Sequence, residues 1–194
     1  MLDTARFAPS GDNKQPWHVI VVRDPQLRIG LADLSAKAFA RHVAEESAGY
    51  RGFGVVTRAP SNIETPAGLP AHPMLSAIAD APVILVVTAD LRGLAVLDRD
   101  LERPSIVGGA SICPFVENIL LAARNEGLGC ALTTFLAAEE VQAAPLLGLP
   151  PEHAIAALIG MGFPVKQPKR LHRKPVEEFT TVDAFLGSPF TDEG

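Results

Sequence analysis

The stretch GGASICPFVENILLAARNEGLGCALTTF, residues 108–135, decides the fold class. Its apolar residues recur at helical spacing and share one face, at Ile112, Val116, Ile119, Leu120 and Ala123. The pattern predicts a helix over 105–127 that ends at Gly127, followed at once by a short strand over 130–134. A helix with one apolar face that leads directly into a strand indicates a helix packed on a sheet.

The alternation of helix and strand continues on both sides of this stretch. We predict strands over 18–23, 82–88 and 153–162, and helices over 2–8, 25–48, 74–79 and 139–147. Residues 50–73 are rich in Gly, Pro, Ser and Asn, which predicts a long irregular segment. The pattern predicts an α/β or α+β layered domain, and a length of 194 residues corresponds to one domain.

Composition excludes several classes of protein. The chain is 47% apolar and 20% charged, which excludes bulk disorder. A net charge of −5 without a basic stripe argues against nucleic acid as a partner. The most apolar stretches are short or carry charges, so we expect no membrane span. The N-terminus lacks the apolar core of a signal peptide.

The two cysteines are too few for a disulfide framework. We expect Cys113 and Cys130 to be reduced core residues of a cytoplasmic protein. Neither cysteine lies in a metal-ligand pattern, so we expect no metal site. Dinucleotide and P-loop signatures are also missing from the sequence, which disfavours a Rossmann fold and a P-loop fold.

The segment APSGDNKQPW, residues 8–17, admits two interpretations. Its turn-forming residues make an ordinary connector between a helix and a strand. The same turn would also let short polar side chains, at Ser10 and Asn13, approach a planar ligand closely. The residue types alone leave both interpretations open.

Four motifs in order carry a resemblance to a known family. They are residues 8–17 followed by a strand, residues 108–135, LGLPPEHAIAALIGMGFP at 147–164, and RKPVEEF at 173–179. Together they resemble the nitroreductase family over nearly the whole chain, apart from residues 45–80. The resemblance implies one nitroreductase-like domain over 1–194. It would be a three-layer sandwich whose central mixed or antiparallel sheet is flanked by helices. Residues 163–194 would form an arm swapped onto the partner of a homodimer.

The family binds FMN at its dimer interface, so the resemblance implies a role for each matching residue. The ring would meet Pro9, Ser10, Asn13 and Gln15, and the backbone at Thr133 and Thr134 would face the reactive nitrogen N5. The FMN phosphate would meet Arg173, assisted by Arg170 or Lys169, because a guanidinium binds phosphate in bidentate fashion. Substrate contacts are assigned to Tyr50, Phe53 and Arg58 in the long irregular segment.

The resemblance also implies an activity. NAD(P)H would reduce FMN and leave, and a small electron-poor acceptor such as a nitroaromatic or a quinone would then be reduced in the same place, by a ping-pong hydride-transfer mechanism. The cofactor supplies the chemistry, so no catalytic acid or nucleophile is required. Two alternatives stay open: a flavin-binding or regulatory module without turnover, and a relative that dehalogenates its substrate or fragments flavin.

The chain departs from the family pattern at two places. Family members carry an Arg-Ser-x-Arg type segment before the first helix, whereas this sequence begins at Met1, inside the expected helix. We therefore expect the N-terminal phosphate-binding segment to be missing, either because the sequence is truncated or because FMN is bound with fewer cations. Glu117 stands where a glutamine is common.

Overall fold

The computed structural model describes residues 1–65, 72–167 and 170–191. The chain divides into two compact units, Met1–Pro164 and Val165–Gly194. The first unit contains five helices among its described residues: α1 Leu2–Ala5, α2 Pro25–Ser47, α3 Pro73–Ala79, α4 Cys113–Asn125 and α5 Glu140–Leu147.

The described strands form one four-stranded sheet. They are β1 Trp17–Val22, β2 Val83–Asp90, β3 Gly129–Thr133 and β4 His153–Gly162, in the order β1-β2-β4-β3. Every neighbouring pair is antiparallel. The α+β class and the antiparallel form of the predicted sheet are therefore confirmed, and the predicted strands match the observed ones to within about two residues.

Capping residues set the helix ends. Helix α2 begins after Asp24, whose carboxylate accepts the N–H of Leu27 at 2.7 Å, and Pro25 occupies its first turn. Helix α3 begins in the same way after His72, whose ring Nδ1 accepts the N–H of Met74. Helix α5 ends at Gly148, which has a φ of +61° that glycine adopts at low cost.

The helix predicted over 105–127 is shorter than expected. Its first part is a 3₁₀ turn, Val107–Ser111, and the α-helix begins only at Cys113. Pro114 explains the difference, because proline has no N–H to donate and clashes with the carbonyl four residues earlier. The predicted start was therefore wrong by about two turns, and the residues before α4 are free to form a groove wall instead.

The sheet separates two hydrophobic cores, which makes the unit three-layered. On one face, Leu85 and Val87 of β2 pack with residues of α1, α4 and β4. On the other face, Ile84 and Val86 pack with residues of α2, α3 and the 3₁₀ turn Phe135–Glu139. Strand β2 is thus buried on both sides, as its unbroken apolar run predicts, and the predicted three-layer sandwich is confirmed.

The unit Val165–Gly194 contains little regular structure in its described part. It has a 3₁₀ turn at Val176–Glu178 and an antiparallel bridge between Thr181 and Pro189. Large apolar side chains stay uncovered there, with Phe185 94% exposed. In the described residues of both units, no helix combines the length and apolarity needed to cross a bilayer.

The cysteines do not lie where we expected. Both are free thiols, but both are exposed, so their assignment to the core was wrong. Cys113 is the first residue of α4 and Cys130 lies on the edge strand β3, whose side chains are only alternately covered. Partial burial raises the pKa of the Cys130 thiol.

Candidate active site: a groove between helix α4 and the sheet

A groove of about 480 Å³ lies between α4 and the ends of β2, β3 and β4. We call it the α4 groove. One wall is formed by α4 and the 3₁₀ turn before it, and the opposite side is the sheet. Its lining residues are Ala89, Leu91, Leu94, Gly108, Gly109, Ile112, Cys113, Val116, Glu117, Leu120, Leu132, Thr134, Ala154, Ile155, Ala156 and Ala157. The lining is mostly apolar, as in sites that bind small molecules.

A bulge in β4 shapes the floor of the groove. The register of β2 with β4 shifts between Val87 and Thr88, which pair with Ala157 and Ile155 respectively, so Ala156 is the extra residue. Ala156 and Ala157 both pack toward the α4 side as a result. The carboxylate of Glu140 accepts the N–H of Ile155 beside the bulge. Consecutive alanines therefore give a shallow floor on which a flat ligand can lie.

The residues of the predicted ring-binding turn form a tight bend over 10–16. The Ser10 hydroxyl accepts the N–H of Gln15 at 3.0 Å and closes it. Asp12, Asn13 and Gln15 all have φ near +50°, which is uncommon for residues other than glycine. The Gln15 amide donates to the Asn13 side-chain oxygen at 3.2 Å. Backbone strain of this kind persists only where surrounding contacts hold it.

Contacts place the 10–16 bend beside the α4 groove. The Gly11 N–H donates to the Ser111 hydroxyl at 3.0 Å, next to the groove-lining Gly109. At its other end, the Pro16 carbonyl accepts the N–H of Asp90 at 2.7 Å. A Cβ at Gly93 would lie 2.8 Å from the Pro16 Cβ, so this close approach requires glycine. The bend is thus clamped to two segments that border the groove.

The two predicted threonines have different surroundings. Thr133 is buried, and its hydroxyl accepts the N–H of Phe135 at 3.2 Å, so its side chain caps the following turn. Thr134 is exposed and lines the α4 groove. Of the two, only Thr134 contributes to the groove lining.

Sequence reasoning missed a carboxylate that orders the groove wall. Asp98 is buried and accepts hydrogen bonds from the Ser105 hydroxyl at 2.6 Å, the Arg103 guanidinium at 2.7 Å and the Ile106 N–H at 3.1 Å. These contacts, led by Ser105, hold the pKa of Asp98 well below its usual value. The loop they close leads straight into Gly108 of the groove wall. No spacing in the sequence marks these partners.

A second perturbed carboxylate lies at the end of β2. The Arg92 side chain and N–H both donate to Asp90, which lowers the pKa of Asp90 to about 2. This pair fixes the turn that carries the groove-lining Leu91 and Leu94. The Arg92 side chain is exposed and Asp90 is half-buried, so we assign the pair a positioning role only.

The predicted substrate residues lie on the other side of the sheet. Phe53 stacks with His42 and lies near Phe135, which packs on the second core. It also lines a separate hollow of about 300 Å³ together with Arg58. Tyr50 follows the end of α2, where its N–H donates to the Glu45 carbonyl. None of these side chains lines the α4 groove within one chain.

The predicted phosphate-binding residues belong to the unit Val165–Gly194. Arg170 and Arg173 are both exposed, and the Arg173 guanidinium donates to the His172 carbonyl at 2.8 Å. Lys169 lies outside the described residues. Within the described ranges, His, Cys, Asp and Glu side chains form no cluster suited to a metal ion.

The structure is that of a layered α+β protein with an apolar groove of small-molecule size beside its sheet. The family model described as the nitroreductase family matches residues 1–163. The chain belongs to the nitroreductase family, a family of oxidoreductases.

Individual relatives are distant. The chain is 28% identical to an NADH dehydrogenase of Thermus thermophilus, over 91% of this chain and 80% of that protein. It is 25% identical to an iodotyrosine deiodinase of Nematostella vectensis, over 92% of this chain and 63% of that protein. Among solved structures, an NADPH:FMN oxidoreductase from Vibrio harveyi has a TM-score of 0.65 at 19% identity, over 95% of this chain and 66% of that one. The chain thus spans less than two thirds of the latter two proteins.

Proposed function

We propose that the chain is an FMN-dependent oxidoreductase that uses NAD(P)H to reduce electron-poor acceptors such as quinones or nitroaromatics. The observation that carries the proposal is the α4 groove: an apolar slot with an alanine floor, bordered by the strained 10–16 bend and by Thr134. The family and the names of the relatives from Thermus and Vibrio support the same activity.

The residues of the groove fit a flavin ring. The ring is flat and largely apolar, and a volume of about 480 Å³ falls in the range of small-molecule pockets, roughly 300–1,000 Å³. Ala154 and Ala156 leave room for a stacked ring, while the exposed amide of Asn13 offers donors and an acceptor for its polar edge. FMN bound there supplies hydride transfer.

This chain's own residues would exclude water from the bound ligand and orient it. The α4 wall and the sheet exclude water from one side of the groove, and the clamped 10–16 bend orients the ligand. Pro9, Ser10 and Gln15 form or flank the strained part of that bend, and Thr133 holds the strand end on which Thr134 sits.

The partner subunit completes the proposed site. Exposed Phe185 and Leu186, at 94% and 92%, support an arm that packs on a second copy of the chain. In that homodimer, Arg170 and Arg173 would meet the FMN phosphate, and Tyr50, Phe53 and Arg58 would face the substrate. The exposed free thiols fit a reducing compartment such as the cytoplasm.

A titration with FMN tests the proposal. We expect the purified protein to take up added FMN, to lose the flavin colour on addition of NADH or NADPH, and to regain it when a quinone is added. A protein that takes up FMN but is not bleached by either donor would instead be a binding module without turnover. Failure to take up FMN at all contradicts the proposal.

Reductive dehalogenation is the second candidate, because a deiodinase is among the relatives. It is distinguished by its product: reduced protein incubated with a halophenol would release halide ion. Quinone reduction without halide release supports the first candidate.

A further inference from the structure

Glu117 is the one charged residue in the described lining of the α4 groove. It stands four residues after Cys113 and three before Leu120, so it shares a face of α4 with these two groove-lining residues. Its carboxylate therefore rises from the wall that a bound ligand would face.

The carboxylate of Glu117 is not committed to a structural role. In the part of the chain that the structure describes, the ion pairs involve other residues, so no Lys or Arg neutralises Glu117. This contrasts with Asp98, whose oxygens are all engaged in closing its loop. A carboxylate carries a negative charge at neutral pH, so the groove has a negative wall.

We infer that Glu117 is the specificity-determining residue of the α4 groove, and that it selects neutral and cationic aromatic acceptors over anionic ones. A ligand that covers the groove displaces water, which strengthens the interaction between charges inside it. An anion placed beside Glu117 is repelled, whereas an amide donor or a cation satisfies the carboxylate. The inference rests on the proposed function because the ligands are tested on protein saturated with FMN, but the charge selection itself is measured as binding and needs no turnover.

Binding of unreactive ligands tests the selection without any turnover. Benzamidine, benzamide and benzoate present the same ring with positive, zero and negative charge. On protein saturated with FMN, we expect equilibrium dialysis to show benzoate binding about tenfold more weakly than benzamide, with benzamidine at least as tight as benzamide. In Glu117→Gln, benzoate should bind only about twofold more weakly than benzamide. In Glu117→Lys, benzoate should become the preferred ligand.

The matched control is Glu126→Gln. Glu126 caps the end of the same helix and lies outside the groove lining, so this variant makes the same change in net charge. We expect it to keep the wild-type order of ligands. If Glu117→Gln and Glu126→Gln behave alike, or if benzoate binds the wild type as tightly as benzamide, the inference is overturned.

Measurements of turnover distinguish a failure of this inference from a failure of the proposed function. The ratio of kcat/KM for 4-nitrobenzamide to that for 4-nitrobenzoate should fall about fivefold in Glu117→Gln, since the intrinsic reactivity of each acceptor cancels between variant and wild type. If neither compound is reduced while the binding order still depends on Glu117, the proposed function fails and the charge selection stands. An unchanged ratio with normal turnover overturns the inference alone.

Discussion

The two faces of the sheet are closed to different degrees. On the α2 face, the rings of Phe39, Phe53 and Phe135 pack around His42 and His72, and the hollow that Phe53 lines is smaller, about 300 Å³. On the α4 face, the corresponding end of the sheet carries alanines and leaves the α4 groove open. The layers are alike, so the larger opening on the α4 face follows from the small side chains there.

The two faces therefore meet different requirements, which are stability on the α2 face and open space on the α4 face. Aromatic packing on the α2 face contributes to the free energy of unfolding, whereas the small residues on the α4 face give up packing in exchange for space. We therefore expect substitutions on the two faces to change different measured quantities.

Filling the groove should have the largest effect. In Ala156→Phe, a ring would occupy the floor on which we place the flavin, so FMN affinity should fall roughly hundredfold, or about 2.8 kcal/mol. Fluorescence titration with FMN measures it. Ala138→Phe is the matched control, because Ala138 is exposed outside the groove and should leave FMN affinity unchanged. Near-normal FMN binding by Ala156→Phe would show that the ring lies elsewhere.

Removing an aromatic ring from the α2 face should lower stability instead. Phe39 lies 4.6 Å from His72 and 5.6 Å from Phe135 between ring centroids, and it is half-buried. Phe39→Ala should therefore reduce the free energy of unfolding by about 2 kcal/mol, less than the roughly 3–5 kcal/mol of a fully buried ring. Urea denaturation measures the change.

FMN binding by Phe39→Ala tests whether the two faces of the sheet act independently. Phe39→Ala should bind FMN within about twofold of the wild type at temperatures where it is folded, since the ring is remote from the groove. Phe7→Ala is the control for stability, because Phe7 is 76% exposed and should change unfolding by less than about 0.5 kcal/mol. A large loss of FMN affinity in Phe39→Ala would contradict the separation of the two faces.

The sequence predicts the layers well and the groove poorly, for a physical reason. Apolar periodicity reports which face of an element is buried, so β2, β4 and the helices on either side could be predicted. The β4 bulge at Ala156 and the hydrogen bonds of Asp98 depend on partners distant in the chain, and periodicity carries no trace of them. The start of α4 was predictable from Pro114 but was masked by the helical spacing of the residues before it.

The candidate site was likewise predictable only in part. Ser10, Asn13 and Gln15 were predicted from a family resemblance, and the structure adds that they form one strained bend tied to Ser111. That tie could not be predicted, because it joins residues 100 positions apart.

Loosening this bend should have a smaller effect than filling the groove. Ser10→Ala removes the acceptor of the Gln15 N–H, and a hydrogen bond of this kind is worth about 1 kcal/mol. FMN affinity should fall about fivefold with little change in the urea midpoint. Ser47→Ala, at the exposed end of α2, is the control. A fall in stability as large as the fall in affinity would mean that the bend supports the fold rather than the site.

The last expected effect concerns the wall of the α4 groove and is a pH dependence of stability rather than a change in FMN affinity. The pKa of Asp98 is lowered in the folded chain, so its contribution to stability is fully present above the unfolded pKa of about 3.9 and is lost as the pH falls below it. Asp98→Asn should therefore unfold at a lower urea concentration than the wild type at pH 7 and pH 5, and the gap should narrow at pH 3. Asp100→Asn, in the same loop at a carboxylate that is 87% exposed and only loosely paired with Arg99, should show no such gap. A gap between Asp98→Asn and the wild type that stays constant from pH 7 to pH 3 would show that the Asp98 charge does not hold the wall of the α4 groove, and that the hydrogen-bonding shape of the side chain is sufficient.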